Sequence, residues 1–372
     1  MTQSGFVPPA YPYDRLAPLA GLAQEHEGGV VDLSIGTPCD PPAPSVLVAI
    51  AESGSERGYP PSVGAPFLRE AAQGWMRRRL GIEIDSSDIA ACVGTKEFVA
   101  GVPHWLRLRD PSRDTILYPA VSYPSYAMGA TLAQCRAVAV QVDEKWRIDL
   151  STIDPDDAKR ALCLWVNTPG NPAGGLDDLE AVANWGREND VIILSDECYA
   201  EFTWDGPRRS ILAHGTQGLL AVHSVSKRSN LAGLRVGFYA GDSELVGYLS
   251  ELRKHAGLMV PGPAQYGAAA ALNDDDHVEV QIGRYRRRLE RARHILSEAF
   301  GIKAEMPGGG LYLWFAAPDG DAWSFTERLA VEGGCLVTPG EFFGPDGVGY
   351  VRLAVVALDT RLDLVAHRLG VV

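Results

Sequence analysis

Short apolar runs without polar–apolar alternation constrain the fold of this chain most. Residues 162–166 and 191–194 are apolar throughout, and a strand with two apolar faces must be covered by helices on both. Between such runs, residues 66–80 and 176–187 carry helical spacing. The pattern predicts a three-layer α/β large domain with a mostly parallel, seven-stranded sheet. The predicted strands are residues 89–93, 115–118, 137–142, 161–166, 191–195, 220–225 and 236–240.

The pattern changes after residue 260. A charged helix over about 277–300 precedes a strand at 311–315, a helix at 325–332, short strands near Leu336 and Val351, and a helix from Thr360. This mixture predicts a smaller α+β domain. The proline-rich opening up to Pro18 is typical of an extended arm. The predicted ranges are 1–40 for this arm with part of the smaller domain, 41–260 for the large domain and 261–372 for the small C-terminal domain.

Charge and composition exclude several classes of protein. A net charge of −13 argues against a nucleic-acid or anionic-membrane partner, because both reward a basic surface. The most apolar long stretch, residues 256–272, contains two prolines, so no membrane span is expected. Six scattered cysteines without a Cys-x-x-Cys pair, and an opening without a secretory signal, predict a reducing, cytoplasmic location. The eight histidines form no pair with ligand spacing, so no metal is predicted.

Lys227 and Asp196 follow two predicted strands directly. Both should therefore emerge at the carboxyl edge of the sheet, where α/β folds place ligands. A lysine in a partly dry site has a lowered amine pKa and can form a Schiff base. A buried carboxylate needs a partner, and a protonated pyridine nitrogen is one. Taken alone, Lys227 fits a solvent-facing loop, but the two residues together predict a catalytic site for pyridoxal 5′-phosphate.

The ring of this cofactor has further candidate contacts. Asn171 and Tyr199 are predicted to donate hydrogen bonds to its phenolic oxygen and stabilise the ionised form. Tyr199 is therefore also counted as catalytic. Tyr123 is the candidate for stacking on the ring, and Tyr126 is the alternative. Singly, Asn171 fits a turn and Tyr199 fits a core aromatic residue.

The cofactor phosphate needs amides and a firm cation. Gly94, Thr95 and Lys96 lie between a predicted strand and helix, where amides at the helix N-terminus attract anions. Ser224 offers a hydroxyl, and Arg235 offers the bidentate fork that phosphate favours. These five residues are the predicted phosphate site.

Arg352 lies within the apolar run 350–354. An inward-facing arginine there needs an anion, which predicts a clamp for the substrate α-carboxylate. The alternative is an arginine on the outer face of an edge strand. Ser224 and Lys227 also match the spacing of an acyl-enzyme serine site, but its companion Ser-Asp-Asn and Lys-Thr-Gly motifs do not occur in the chain.

Together these motifs resemble those of the fold-type I pyridoxal-phosphate aminotransferases, the aspartate aminotransferase superfamily, from Leu33 to Arg352. The resemblance implies that the large domain binds the cofactor and that amino acids and 2-oxo acids are the substrates. It also implies a homodimer in which Tyr59 reaches the phosphate of the other subunit, and in which Gly36 closes over the substrate carboxylate. The chain departs from the family at Ala173, where the usual turn carries threonine.

Within the superfamily, residues 9–14, 32–38, 94–97 and 259–265 resemble the actinobacterial N-succinyldiaminopimelate aminotransferases of lysine and diaminopimelate biosynthesis. The resemblance implies amino transfer between N-succinyl-LL-diaminopimelate and 2-oxoglutarate. Arg15 and Lys254 are candidates for the remaining substrate carboxylates. The alternatives are another amino-acid aminotransferase (aspartate or aromatic), a lyase that cleaves a carbon–sulfur bond at the β-carbon, and a ligand-sensing regulator with the same fold.

Overall fold

The computed structural model describes residues 5–371. Residues 1–4 and 372, which the predicted domain ranges include, lie outside the described residues. The strands are β1 Val31–Asp32, β2 Ile89–Cys92, β3 Thr115–Pro119, β4 Arg136–Val140, β5 Ala161–Asn167, β6 Ile192–Asp196, β7 Leu219–Ser224, β8 Gly237–Gly241, β9 Tyr312–Ala316, β10 Cys335–Leu336, β11 Thr338–Pro339 and β12 Tyr350–Ala354. The helices are α1 Ala17–Gln24, α2 Pro44–Ala51, α3 Pro66–Leu80, α4 Thr95–Arg109, α5 Ser125–Leu132, α6 Pro155–Arg160, α7 Leu179–Asn189, α8 Val225–Arg228, α9 Ser243–His255, α10 Gly262–Asn273, α11 Asp276–Phe300, α12 Ala322–Gly333 and α13 Asp359–Arg368.

The central sheet has seven strands in the order β2-β8-β7-β6-β5-β3-β4. Strand β8 runs antiparallel to both of its neighbours, and the other neighbouring strands are parallel. All seven residues of β5 are buried. Leu164 and Val166 pack in a cluster with α3, α7 and α10, whereas Trp165 packs on the opposite face with α4, α5 and α9. The prediction of a three-layer, mostly parallel sheet is confirmed.

A second, smaller α+β unit has sheets of its own. Strand β12 lies between β11 and β9 in an antiparallel three-stranded sheet, and β1 pairs with β10 in parallel. Leu289 of α11 and Phe325 of α12 pack against Leu353 of β12, so helices cover the small sheet too. Because β1 pairs with β10, the N-terminal segment contributes to this second unit. The boundaries at residues 40 and 260 stay predictions.

The N-terminal segment differs from its prediction. Residues 5–11 have no regular structure, but a 3-10 helix spans Pro12–Leu16 and continues into α1. An extended arm is therefore wrong from Pro12 onward. Pro12 and Pro18 lie in the first turns of their helices, where the fixed φ of proline suits the helix and its missing N–H is not needed.

Two further searches cover the described part of the chain only. Between residues 5 and 371 no helix combines the length and the apolar character needed to cross a membrane. Over the same residues, no three His, Cys, Asp or Glu side chains group together in a way that could hold a metal ion.

Candidate functional site

A cavity of about 360 Å³ opens at the carboxyl edge of the central sheet. Asn167, Asp196 and Ser224, the last residues of β5, β6 and β7, line it. Its size falls within the range of small-molecule sites, roughly 300–1,000 Å³. Parallel strands thus bring chain-distant polar residues to one place, as expected for this class of fold.

Most of the predicted site residues meet in this cavity. Those that line it are Gly36, Thr95, Lys96, Tyr123, Asn171, Asp196, Tyr199, Ser224, Lys227, Arg235 and Arg352. Gly94 lies directly behind Arg235, since a Cβ at this glycine would overlap the guanidinium. Tyr59 is 97% exposed and lies away from the cavity of its own chain. Its predicted contact with a second subunit stays a prediction.

Lys227 lies in the short helix α8, which directly follows β7. Its Nζ donates a hydrogen bond to the Gly36 carbonyl oxygen. Burial of the ammonium lowers the pKa of Lys227 to about 8, and the positive charges of Arg352 and Arg235 act in the same direction. A sizeable fraction of this amine is therefore neutral and nucleophilic near neutral pH.

Asp196 ends β6 with only 8% of its surface exposed. Its Oδ2 accepts a hydrogen bond from the Tyr126 hydroxyl at 2.9 Å, and its Oδ1 accepts one from the Cys198 backbone N–H at 3.2 Å. Neither partner is positively charged, and burial raises the pKa of Asp196. A carboxylate in this position gains most from a buried cation, which is what the protonated ring nitrogen of pyridoxal phosphate would supply.

Tyr126 was the alternative candidate for stacking on the cofactor ring, and the structure shows this to be wrong. Its side chain is fully buried, its hydroxyl is bonded to Asp196, and its ring stacks on Trp165 at 5.1 Å. Tyr123 is partly buried and faces the cavity, so it keeps the predicted stacking role.

The predicted phosphate end has the chemistry of an anion cradle. Helix α4 begins at Thr95, and its first amides are free for a ligand. The Ser224 hydroxyl accepts from the Ser226 N–H at 3.0 Å, which fixes its position. Arg235 is held by its donation to the Ala232 carbonyl at 2.9 Å, and Gly94 (φ 74°) lets the backbone approach its guanidinium. Amides, hydroxyl and guanidinium together fit a phosphate.

The lowered pKa of Lys227 predicts how the apoenzyme takes up its cofactor. Only the neutral amine attacks an aldehyde, so the rate of covalent loading should rise with pH and level off above about 8. An ordinary lysine, with a pKa of about 10.4, would keep accelerating for two further pH units or so. Stopped-flow absorbance after mixing apoenzyme with pyridoxal phosphate measures this profile. A rate still climbing steeply above pH 9 would contradict it.

Arg352 also lines the cavity, in the middle strand of the small sheet and 2% exposed. The alternative of an outward-facing edge arginine is therefore wrong. Its guanidinium donates to Asn171 Oδ1 at 2.8 Å, to the Tyr13 hydroxyl at 3.0 Å and to the Ser34 carbonyl. Each of these partners is an uncharged oxygen, so this buried cation is suited to bind a carboxylate.

Sequence reasoning missed the contacts that several tyrosines make in the site. Tyr11, Tyr13 and Tyr312 line the cavity from the N-terminal segment and from β9, and Tyr126 reaches Asp196 from α5. The Tyr312 hydroxyl lies 2.8 Å from that of Tyr199. Residues 9–14 stood out only through a family resemblance, Tyr126 was considered only for stacking on the ring, and no spacing signal marked Tyr312.

Comparisons with known proteins agree with this geometry. The model of the family "Aminotransferase class I and II" matches residues 28–369. The chain is 39% identical to the 4-dedimethylamino-4-oxo-anhydrotetracycline transaminase OxyQ of Streptomyces rimosus, over 97% of this chain and 99% of that protein. It is 32% identical to an LL-diaminopimelate aminotransferase of Desulforudis audaxviator, over 97% and 95%. The structure of a probable N-succinyldiaminopimelate aminotransferase from Thermus thermophilus superposes with a TM-score of 0.84 at 29% identity, covering 96% and 99%.

Proposed function

Because the chain belongs to the class I and II aminotransferases, which work with pyridoxal phosphate, we propose that it transfers an amino group between N-succinyl-LL-diaminopimelate and 2-oxoglutarate. Family membership establishes amino transfer on small amino and keto acids. The particular substrate is the proposal. The structural likeness to the Thermus protein and the 32% identity to the LL-diaminopimelate enzyme support it.

The site residues can divide the reaction between them. Bound pyridoxal phosphate supplies an electron sink for the charge that develops at the substrate Cα. The Lys227 amine would act as the general base that takes the proton from the substrate Cα and as the acid that returns it. Asp196 would hold the protonated ring nitrogen of the cofactor, Tyr199 and Asn171 would donate hydrogen bonds to its phenolic oxygen, and Arg352 would orient the substrate through its α-carboxylate.

Lys96 is a further cation in the cavity, beside Arg352 and Arg235, and it supports the proposed choice of substrate. Lys96 points its ammonium at the rings of Tyr11 and Tyr123, 4.9 and 5.7 Å from their centroids, and lies 3.4 Å from the Tyr11 hydroxyl. Among residues 5–371, no carboxylate forms an ion pair with this ammonium. N-succinyl-diaminopimelate has carboxylates beyond the one assigned to Arg352, and Lys96 is placed to bind one of them.

The residues first considered for this role lie elsewhere. Arg15 pairs with Glu341 at 2.6 Å and stacks over Trp323, and Lys254 pairs with Glu251 at 3.8 Å on an exposed helix face. Lys96 was also predicted to bind the phosphate. Its backbone N–H lies in the first turn of α4, so that prediction stays, while its side chain points at the rings of Tyr11 and Tyr123.

Lys96→Met should weaken the binding of donors with a distal carboxylate about 10- to 100-fold, since a hydrogen bond to a charged group contributes about 1.5–3 kcal/mol. Alanine, which lacks that carboxylate, should be affected little. Single-turnover reaction of the cofactor-loaded enzyme with the donor alone measures this without involving 2-oxoglutarate. Lys254→Met is the matched control on the surface. Equal weakening of alanine would contradict the role of Lys96.

The experiment that tests the proposed function is a donor panel with 2-oxoglutarate as acceptor. Succinyldiaminopimelate, aspartate, alanine and aromatic amino acids are compared by kcat/KM, and succinyldiaminopimelate should be preferred by at least about tenfold, the effect of one additional charged contact. Preference for another donor would reject the substrate but not the family activity. Release of pyruvate and ammonia from cystathionine without a keto acid would instead indicate the β-lyase reaction.

Two observations favour a second candidate, amino transfer to a ring ketone. The 39% identity to OxyQ exceeds that to the diaminopimelate enzyme, and Tyr11, Tyr13 and Tyr123 give the cavity an aromatic wall. Such a wall suits a flat polycyclic substrate. Adding a polycyclic ketone as acceptor, with glutamate as donor, separates the two candidates.

A further inference from the structure

Tyr312 contacts three separate parts of the site. Its hydroxyl lies 2.8 Å from the Tyr199 hydroxyl, and its ring centroid lies 4.4 Å from Cζ of Arg352. Gly36 packs so tightly against it that a Cβ there would overlap the Tyr312 hydroxyl. With 2% of its surface exposed, Tyr312 has little freedom to move. The Tyr312 side chain thus connects Tyr199, Arg352 and Gly36, to which contacts with the cofactor and with the substrate carboxylate are assigned.

We propose that Tyr312 is a positioning residue whose hydroxyl donates to the Tyr199 oxygen, while its ring holds the Arg352 guanidinium in place. The proposal rests on the proposed contact of Tyr199 with the cofactor phenolic oxygen. A tyrosine hydroxyl has one proton. When the Tyr199 hydroxyl donates its hydrogen bond to the cofactor, its oxygen can still accept one. The Tyr312 hydroxyl lies beside it and can donate that bond.

The direction of this hydrogen-bond chain has a chemical consequence. A donor that itself accepts a hydrogen bond becomes a stronger donor, because the two bonds polarise each other. Tyr312 would therefore strengthen the stabilisation of the phenolate by Tyr199. Burial raises the pKa of both tyrosines, so both keep their protons at neutral pH and can donate.

The ring of Tyr312 contacts a different residue, Arg352. The rings of Tyr312 and Phe343 lie 4.4 and 4.5 Å from Cζ of this arginine, at distances where aromatic faces attract a cation. This contact limits the orientations open to the buried guanidinium. Because hydroxyl and ring act on different residues, two substitutions at one position can separate them.

Tyr312→Phe removes the hydroxyl and keeps the ring. In the cofactor-loaded enzyme, the pH midpoint of the visible absorption should rise by about half a unit, because the phenolate is less stabilised. The KM for the amino donor should stay within about twofold, because the ring still lies on Arg352. Tyr312→Leu should raise the midpoint similarly and also raise that KM about tenfold.

Two further variants make the test decisive. Tyr285→Phe alters another buried tyrosine of the small domain and should leave the midpoint unchanged. Tyr199→Phe should raise the midpoint by more than Tyr312→Phe does, and adding Tyr312→Phe to it should cause no further shift. A shift of the pH midpoint in Tyr199→Phe without one in Tyr312→Phe would overturn the inference about Tyr312 and leave the proposed contact of Tyr199 with the phenolic oxygen standing. No shift in either variant overturns the contact of Tyr199 with the phenolic oxygen as well, and the donor panel is independent of both results.

Discussion

Replacing Lys227 with alanine should slow the reaction of the loaded enzyme with its amino donor by roughly 10⁴-fold, the upper range for a general base. The Nζ of Lys227 reaches the cavity beside the Gly36 carbonyl, and alanine leaves no amine there to move the Cα proton. Rapid-mixing absorbance with glutamate measures the loss. Lys303→Ala, at an exposed lysine outside the cavity, is the control.

The same variant tests the covalent attachment of the cofactor. Borohydride reduction followed by peptide mass spectrometry should locate pyridoxal phosphate on Lys227 in the unmodified enzyme and find no reduced adduct in the alanine variant. An adduct on a different lysine in the unmodified enzyme would refute the assignment. It would do so without affecting family membership, which rests on residues 28–369 as a whole.

Asp196→Asn should reduce the rate of the same half-reaction by roughly 10²–10⁴-fold. Removing one partner of a buried ion pair costs about 3–5 kcal/mol, and each 1.36 kcal/mol corresponds to about tenfold in rate. Asparagine preserves the shape and can still accept from the Tyr126 hydroxyl, so the expected loss reflects the missing charge. The measurement is the single-turnover rate with a saturating donor.

Tyr126→Phe is the comparison that isolates this charge. It removes the 2.9 Å hydrogen bond to Asp196 but leaves the carboxylate in place, and the loss of one such bond to a charged group corresponds to about 10- to 100-fold. If Asp196→Asn were no slower than Tyr126→Phe, the carboxylate would not be holding a protonated ring nitrogen.

The layered fold was predictable because strands with two apolar faces are stable only when helices cover both faces. Strand β5 was predicted at 161–166 and spans Ala161–Asn167. The meeting of Lys227 and Asp196 followed from the same argument, since both leave neighbouring parallel strands at one edge. Their presence in one cavity confirms this part of the expectation.

The hydroxyls around the site were not predictable in this way. Tyr13, Tyr126 and Tyr312 come from three separate elements, and no local spacing records which of them meet. A tyrosine within an apolar strand, such as Tyr312 in β9, fits a core position equally well. The prediction of an extended N-terminal arm was wrong for another reason. Prolines such as Pro12 and Pro18 suit both an extended chain and the first turn of a helix.

Tyr11 and Tyr13 of the N-terminal segment line the cavity and contact both of the units that border it. The ring of Tyr13 packs edge-on against Phe342 of the small domain, 5.5 Å between centroids, while Tyr11 lies on Lys96 of the large one. The Tyr13 hydroxyl also accepts a hydrogen bond from Arg352, and the Tyr11 hydroxyl lies 3.4 Å from the Lys96 ammonium. A movement of this segment would therefore change the surroundings of both proposed carboxylate-binding cations at once, and such conformational steps limit turnover in many enzymes.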